Sequence, residues 1–379
     1  MIAETVLTNA RIVLADEIVE GSLVLRDGFI AGIDAGTGRT GEDMGGDYII
    51  PGLVELHTDH LEGHYAPRPK VRWNPIAAVL AHDAQVATAG ITTVLDALRV
   101  GMDEDADLTS DDIRKLADAI EDSVAQDRLR ADHFLHLRCE VSAPDCLQAF
   151  ANFDGDERVK LASLMDHAPG QRQFVNLETY AYYYQRKLKL TDRDFKLFCE
   201  KRMSESAKNS GPNRVAISAA CNERGIVLAS HDDATSGHVD EAIEQGVRVA
   251  EFPTTQEAAK ASKEAGLGVL MGAPNVMRGA SHSGNVSART LAADGLLDIL
   301  SSDYIPFSLI QSAFFLGDVV EGISLPQAVA MVSKNPAEAI GLSDRGVIEP
   351  GRRADLVRVR VDDHVPVVRT VWRQGRRVA

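Results

Sequence analysis

The chain has 379 residues, with 40 lysines and arginines against 56 aspartates and glutamates, for a formal net charge of −16. That length suits a barrel plus a minor domain, and the 45% hydrophobic share is ordinary for a globular protein in water. The acidity argues against general nucleic-acid binding, while a few arginines and cations in a cleft still suit an anionic substrate.

The opening Met1-Ile2-Ala3-Glu4 is not a basic n-region with an apolar core behind it, and no run reaches the length of a membrane span. Cys139, Cys146, Cys199 and Cys221 show no CxxC spacing and no disulfide framework. A cytoplasmic protein with no membrane partner is expected, and assembly as a homo-oligomer is left open.

In chain order, residues 1–50 read as short strands. Ile12-Val13-Leu14, Ser22-Leu23-Val24-Leu25 and Ile30-Ala31-Gly32-Ile33 are β-prone, and Asp27-Gly28 signals a hairpin. From 51 to 343 apolar runs alternate with helical patterns. The spacing predicts strands near 52–57, 91–97, 133–141, 159–165, 226–230, 247–252, 267–272 and 297–303. A helix is predicted to open at Thr109-Ser110-Asp111-Asp112, an N-cap with an acidic first turn, and to run toward Arg130. Eight strand–helix alternations predict an α/β fold, a (β/α)8 TIM-like barrel with functional residues at the C-terminal ends of its strands. Residues 171–225 are too long for a connection and predict a helical insertion over the barrel mouth. Residues 344–379 alternate again, as in Leu356-Val357-Arg358-Val359. The two β-rich ends predict one small β-sandwich domain built from both termini, 1–50 and 344–379.

The chemistry gathers where apolar runs end. Leu53-Val54-Glu55-Leu56-His57-Thr58-Asp59 closes on a histidine and an aspartate two apart, which a strand directs to one side. An imidazole with a carboxylate suits a catalytic divalent cation. Glu140, His167, His231 and Asp303 recur at the ends of later runs. Asp232, Asp233 and His238 are nearby alternatives to His231.

Across nearly its whole length the chain resembles the amidohydrolase superfamily. The resemblance rests on the N-terminal strands, Pro51-Gly52-Leu53-Val54-Glu55-Leu56-His57, Ser301-Ser302-Asp303 and Gly351-Arg352-Arg353-Ala354-Asp355. More specific blocks are His57-Thr58-Asp59-His60-Leu61-Glu62, Pro67-Arg68-Pro69, Ala81-His82-Asp83-Ala84-Gln85, Asp166-His167-Ala168-Pro169-Gly170-Gln171-Arg172 and Ser281-His282-Ser283-Gly284-Asn285. These are similar to the PhnM-type members of the carbon–phosphorus lyase pathway of phosphonate utilisation. That resemblance implies hydrolysis of α-D-ribose 1-methylphosphonate 5-triphosphate to the 5-phosphate and pyrophosphate.

It also implies site roles. Divalent metal ions, two of Zn, Mn or Fe, would be held by His57, Asp59, Glu140, His167, His231 and Asp303. Glu140 would bridge them, and Asp303 would also take the proton from the attacking water. Asp59 stands where the superfamily usually has a second histidine. Arg68, Arg172, His282 and Asn285 lie in the specific blocks and would bind substrate phosphates. His60, Glu62 and His64 would support the metal ligands, and His133, His136 and His364 would be structural or surface residues. Relatives with a bridging glutamate on the third strand take their histidines from the fifth and sixth, whereas this spacing puts them at the fourth and fifth. A strand within 171–225, or a differently built shell, would account for this. A deaminase or cyclic-amide hydrolase on the same scaffold is the competing expectation, and an inactive scaffold protein would need lost ligands that are all present here.

Overall fold

The computed structural model describes residues 4–36, 40–102, 107–172, 180–181, 184–185, 189–281 and 284–379. Five strands come first: β1 (Glu4–Val13), β2 (Ile18–Arg26), β3 (Phe29–Ala35), β4 (Glu42–Asp43) and β5 (Tyr48–Pro51). The barrel strands are β6 (Leu53–Thr58), β7 (Ile91–Val100), β8 (Asp132–Glu140), β9 (Val159–Met165), β10 (Val227–His231), β11 (Val249–Glu251), β12 (Gly268–Gly272) and β13 (Ile299–Ser301). The chain ends in β14 (Leu356–Asp362), β15 (Val365–Arg373) and β16 (Arg376–Arg377).

β6 to β13 pair in sequence order as one parallel sheet of eight strands, and a bridge between Thr58 and Asp303 brings its two edges together. The predicted barrel strands are all present. Val54, Leu56, Leu95, Leu161, Ala229, Val249, Leu270 and Ile299 form one buried cluster drawn from seven of the strands, the filling of the barrel. The remaining apolar strand residues pack outward against helices. Among these helices, α1 (His60–Tyr65) and α2 (Pro75–Thr88) follow β6. Asn74 caps α2 by accepting from Ala77 N, with Pro75 in its first turn. α3 (Ser110–Ala125) opens on a capping box between Thr109 and Asp112, as the sequence predicts. It stops five residues short of Arg130, because Asp127 turns left-handed at φ 49° to send the chain into β8.

The terminal strands join into one ladder, β16-β15-β14-β5-β1-β2-β3, with β4 beside β1. Its core holds Leu7, Ile12, Leu23 and Ile49 from the N-terminal side with Leu356 and Trp372 from the C-terminal side. The ladder is continuous, so strands from both ends share hydrogen bonds as well as apolar contacts. Gly52 alone separates β5 from β6. A Cβ there would collide with the Thr92 side chain, so the join requires glycine. The sheet is fastened to the barrel by Asp132, which pairs with Arg345 at 2.7 Å, Arg353 at 2.7 Å and Arg373 at 3.0 Å.

A short helix α4 (Cys146–Ala151) links β8 to β9, and the insertion contributes α5 (Asp192–Arg224), a helix of 33 residues between the Thr191 cap and left-handed Gly225. Its polar face meets the strand ends. Ser206 and Ser210 donate to Asp166, Asn213 donates to the Val141 carbonyl, and buried Arg202 reaches Ser142. The helix thus lies over the ends of β8 and β9. No barrel strand lies among the described residues of 171–225, so His167 follows the fourth barrel strand and His231 ends the fifth.

Candidate active site

β6 carries Glu55 and His57 into the barrel end, both fully buried or nearly so. The Glu55 carboxylate accepts from His57 N at 2.7 Å, Ser301 Oγ at 2.7 Å and Ser302 N at 2.6 Å. It thereby laces the first barrel strand to the last. Asp303 follows, its N–H donating to the His57 carbonyl at 3.1 Å. Its φ of 55° is left-handed, a region that aspartate tolerates better than most residues other than glycine. Burial pushes the Asp303 carboxyl up, and nearby Asp59 adds to the effect, which makes it a stronger base.

Glu251, at the end of three-residue β11, organises the histidines. Its carboxylate accepts from His57 Nδ1 and from His231 Nδ1, each at 2.7 Å. The two imidazoles stack at 5.9 Å between centroids, and their Nε2 atoms are left as metal-binding lone pairs. Burial opposes charge on Glu251 and on His57. The attraction between Glu251 and His57 outweighs it, holding the carboxyl below the usual range and raising the His57 imidazole. His136 sits beside them, with one ring nitrogen within the 4.8 Å spacing that groups it with His57 and Glu251. Burial lowers His136 to about 3, so it is neutral, donating from Nδ1 to the Leu56 carbonyl at 2.9 Å.

The second group is His167, His231 and Asp232, whose donor atoms also lie within 4.8 Å of one another. Asp232 is left-handed at φ 57° and buried. Its Oδ2 lies 3.4 Å from His231 Nε2 and 3.8 Å from His167 Nε2, with no hydrogen-bond donor. A buried carboxylate oxygen with no donor, beside two imidazole nitrogens, is a donor set that a divalent cation fits. Glu140 stands next to it. It accepts from Ser142 Oγ at 2.6 Å and His167 N at 3.1 Å, and its Oε2 is 2.6 Å from His167 Nδ1. Arg99 and Arg202 approach Glu140 at 3.8 Å and 3.9 Å. Asp59 lies just past β6 and makes no cap bond to α1. Its carboxylate instead faces Arg138 at 3.3 Å.

The structure therefore gathers His57, His167, His231 and Asp303 at one end of the barrel, with Glu140 and Asp59 at its margin among arginines. The residues expected to bind substrate are more scattered. Arg68 is exposed in the loop after α1. Arg172 is buried and paired with Asp233 and Glu241 in a polar cavity of about 220 Å³ beside α5. Asn285 is half-buried, next to Val286, whose N–H donates to the Thr254 carbonyl at 2.9 Å beyond β11. His282 lies outside the described residues.

Glu251 and Glu55 are additions to the expected set, Asp232 stands beside His231 rather than in its place, and His136 is more central than expected. Period-two alternation in β8 was the available signal for His136, since it shares a face with Arg138 and Glu140. Glu251 closes an apolar run as the other site residues do.

A parallel barrel with imidazole and carboxylate donors at its strand ends defines a hydrolase of the amidohydrolase class, whose members are typically metal-dependent. A family model described as "Amidohydrolase family" matches residues 218–379. More particularly, the chain belongs to the family of α-D-ribose 1-methylphosphonate 5-triphosphate diphosphatases. It is 49% identical to the protein of that name from Escherichia coli (strain K12) over 377 residues, which covers 98% of this chain and 100% of the relative. Among solved structures, N-acetyl-D-glucosamine-6-phosphate deacetylase from Mycobacterium smegmatis aligns with a TM-score of 0.65 at 17% identity, over 99% of each chain. A 5-methylcytosine deaminase from Klebsiella pneumoniae aligns at 0.64 and 16%, over 99% of this chain and 98% of its own. Those two likenesses concern the fold.

Proposed function

We propose that this chain hydrolyses α-D-ribose 1-methylphosphonate 5-triphosphate to the 5-phosphate and pyrophosphate. The observation that carries the reading is the 49% identity to the E. coli diphosphatase along the full length of both chains. The site is consistent with it, because Arg99, Arg138 and Arg202 converge on the same strand ends as the histidines. Planar guanidinium groups match phosphate oxygens and lower the cost of crowding a triphosphate against carboxylates.

His57, Asp59, Glu140, His167, His231 and Asp303 are the proposed holders of two divalent ions, Zn, Mn or Fe, with Asp232 Oδ2 as a further donor. Such ions supply Lewis acidity and an acidified water when bound. The protein's own groups do the rest. Glu251 fixes the tautomers of His57 and His231. Asp303 accepts the proton of the attacking water at its carboxylate. The arginines hold the phosphates so that the water oxygen meets the α-phosphorus opposite the bond to the β-phosphate. That P–O bond breaks, and pyrophosphate leaves with its electron pair.

Four unpaired cysteines fit a reducing compartment, so we place the reaction in the cytoplasm. No described helix is long and apolar enough to cross a membrane. Phosphorus NMR of the purified protein with the triphosphate tests the function. Pyrophosphate and the 5-phosphate should appear together. Orthophosphate as the only early product would overturn the reading, and ammonia released from aminated heterocycles would favour the deaminase alternative.

A further inference from the structure

A second set of histidines lies outside the barrel end, against the outer face of β7. His60 and His64 stand one turn apart on α1, and His82 projects from α2. Their ring centroids are 5.4 Å, 6.0 Å and 6.4 Å apart, and one ring nitrogen of each lies within 4.8 Å of the other two.

Each imidazole has one nitrogen already in use. His82 Nε2 is 2.7 Å from Asp96 Oδ1, His64 Nε2 is 3.0 Å from Gln85 Oε1, and His60 has a backbone hydrogen bond at Tyr304. His82 is fully buried, and its Nδ1 has no hydrogen-bond partner. With Nε2–H donated to Asp96, that Nδ1 is a bare lone pair shut away from water. An orphaned buried acceptor of this kind is costly unless something electropositive faces it.

The support behind His82 is rigid. Asp96 Oδ2 takes a second bond from His133 Nδ1 at 2.8 Å, and His133 Nε2 faces Asp83 Oδ1 at 3.3 Å. Asp83 is held by the N–H groups of Arg130 at 2.8 Å and Ala131 at 3.0 Å. A carboxylate that fixes an imidazole's orientation and leaves its other nitrogen free to bind is the usual outer arrangement of a metal-binding histidine.

We propose that His60, His64 and His82 form a separate site for a divalent transition metal of the zinc class. Three imidazoles favour such an ion over magnesium or calcium, which take oxygen ligands. The half-buried edges of His60 and His64 leave the fourth tetrahedral position for water or an anionic oxygen. The site shares no ligand with the barrel-end group, so it stands or falls independently of the proposed reaction.

The test uses the full chain stripped of metal with a chelator, then dialysed against zinc, with bound zinc counted by elemental analysis. Cobalt replaces zinc in a parallel set read by visible absorption. His64→Ala, at a half-buried position, should bind one equivalent less than the unmodified chain and lose one tetrahedral cobalt signal. His82→Asn should do the same. His231→Ala, altered only at the barrel end, should keep that cobalt signal. Equal zinc equivalents and an unchanged cobalt spectrum in a folded His64→Ala chain would overturn the proposal. So would loss of the signal in His231→Ala alone.

Discussion

Glu251 Oε1 lies 2.7 Å from His57 Nδ1, and the other oxygen of the same carboxylate lies 2.7 Å from His231 Nδ1. One side chain therefore sets the tautomer of two proposed ligands from strands far apart in sequence. Glu251→Gln keeps the shape but offers an NH2 to one of two N–H groups, so one imidazole must flip or lose its partner. Metal affinity should fall on the order of 10–100-fold, the usual cost of losing such a supporting group. Competition with a chromogenic chelator reads it, and affinity equal to the parent chain would remove Glu251 from this role.

Asp303→Asn retains an oxygen at the same left-handed turn but removes the basic carboxylate. Turnover should drop by roughly 10²–10⁴, as for other positioned acid–base groups, while metal content falls much less. Circular dichroism should be unchanged, because the substitution is isosteric. Near-parental turnover with metal still bound would return Asp303 to a purely structural part.

Asp132 makes the junction between barrel and terminal sheet sensitive to acid. Burial raises its carboxyl, but Arg353, Arg345 and Arg373 outweigh that and hold it below the ordinary carboxylate range. A depressed folded value contributes stability that is complete above the unfolded value, about 3.9, and is lost as pH falls through the folded one. Asp132→Asn leaves three arginines without their shared carboxylate and should therefore cost on the order of 3 kcal/mol at neutral pH. The gap from the parent chain should narrow only in strong acid. Denaturant titrations across that range decide it; a gap constant down to the most acidic condition contradicts the assignment.

We propose that residues 1–50 and 344–379 act as one domain, which gives a truncation test. Removing residues 365–379 deletes β15 and β16 and with them Val371 and Trp372, 0% and 3% exposed. Each such side chain accounts for about 1.5–3 kcal/mol of burial, and its former neighbours become exposed apolar surface. The shortened chain should melt lower and aggregate. A monodisperse product with the parental melting temperature would count against a shared domain.

The barrel was legible because each strand is an apolar run of the right length between helical patterns, and because His57, His167, His231 and Asp303 each close such a run. Ligand order alone could not say which strand carried which histidine. That depended on whether 171–225 hid a strand, and a helix of 33 residues settles it for the described positions. Glu251 closes an apolar run like the others, but its contacts with His57 and His231, from β6 and β10, are tertiary and leave no mark in the local pattern. The ion pairs that bury Arg172 against Asp233 and Glu241 join residues more than sixty positions apart, which no local pattern encodes. The role of His82 rests on Asp96 and His133 in two different strands, again a tertiary fact.

The single-residue join at Gly52 has a consequence for how the molecule is made. β5 is continuous with the strand that bears His57, yet its partner β14 begins at Leu356. A nascent chain on the ribosome has produced the whole barrel before that partner exists. Closing the ladder is thus an event that follows synthesis of the barrel, with a long loop to bridge and an apolar edge waiting in the meantime. The first barrel strand is therefore tied to a partner made only after the barrel, and products stalled or truncated before Leu356 should be the forms that chaperones and proteases find.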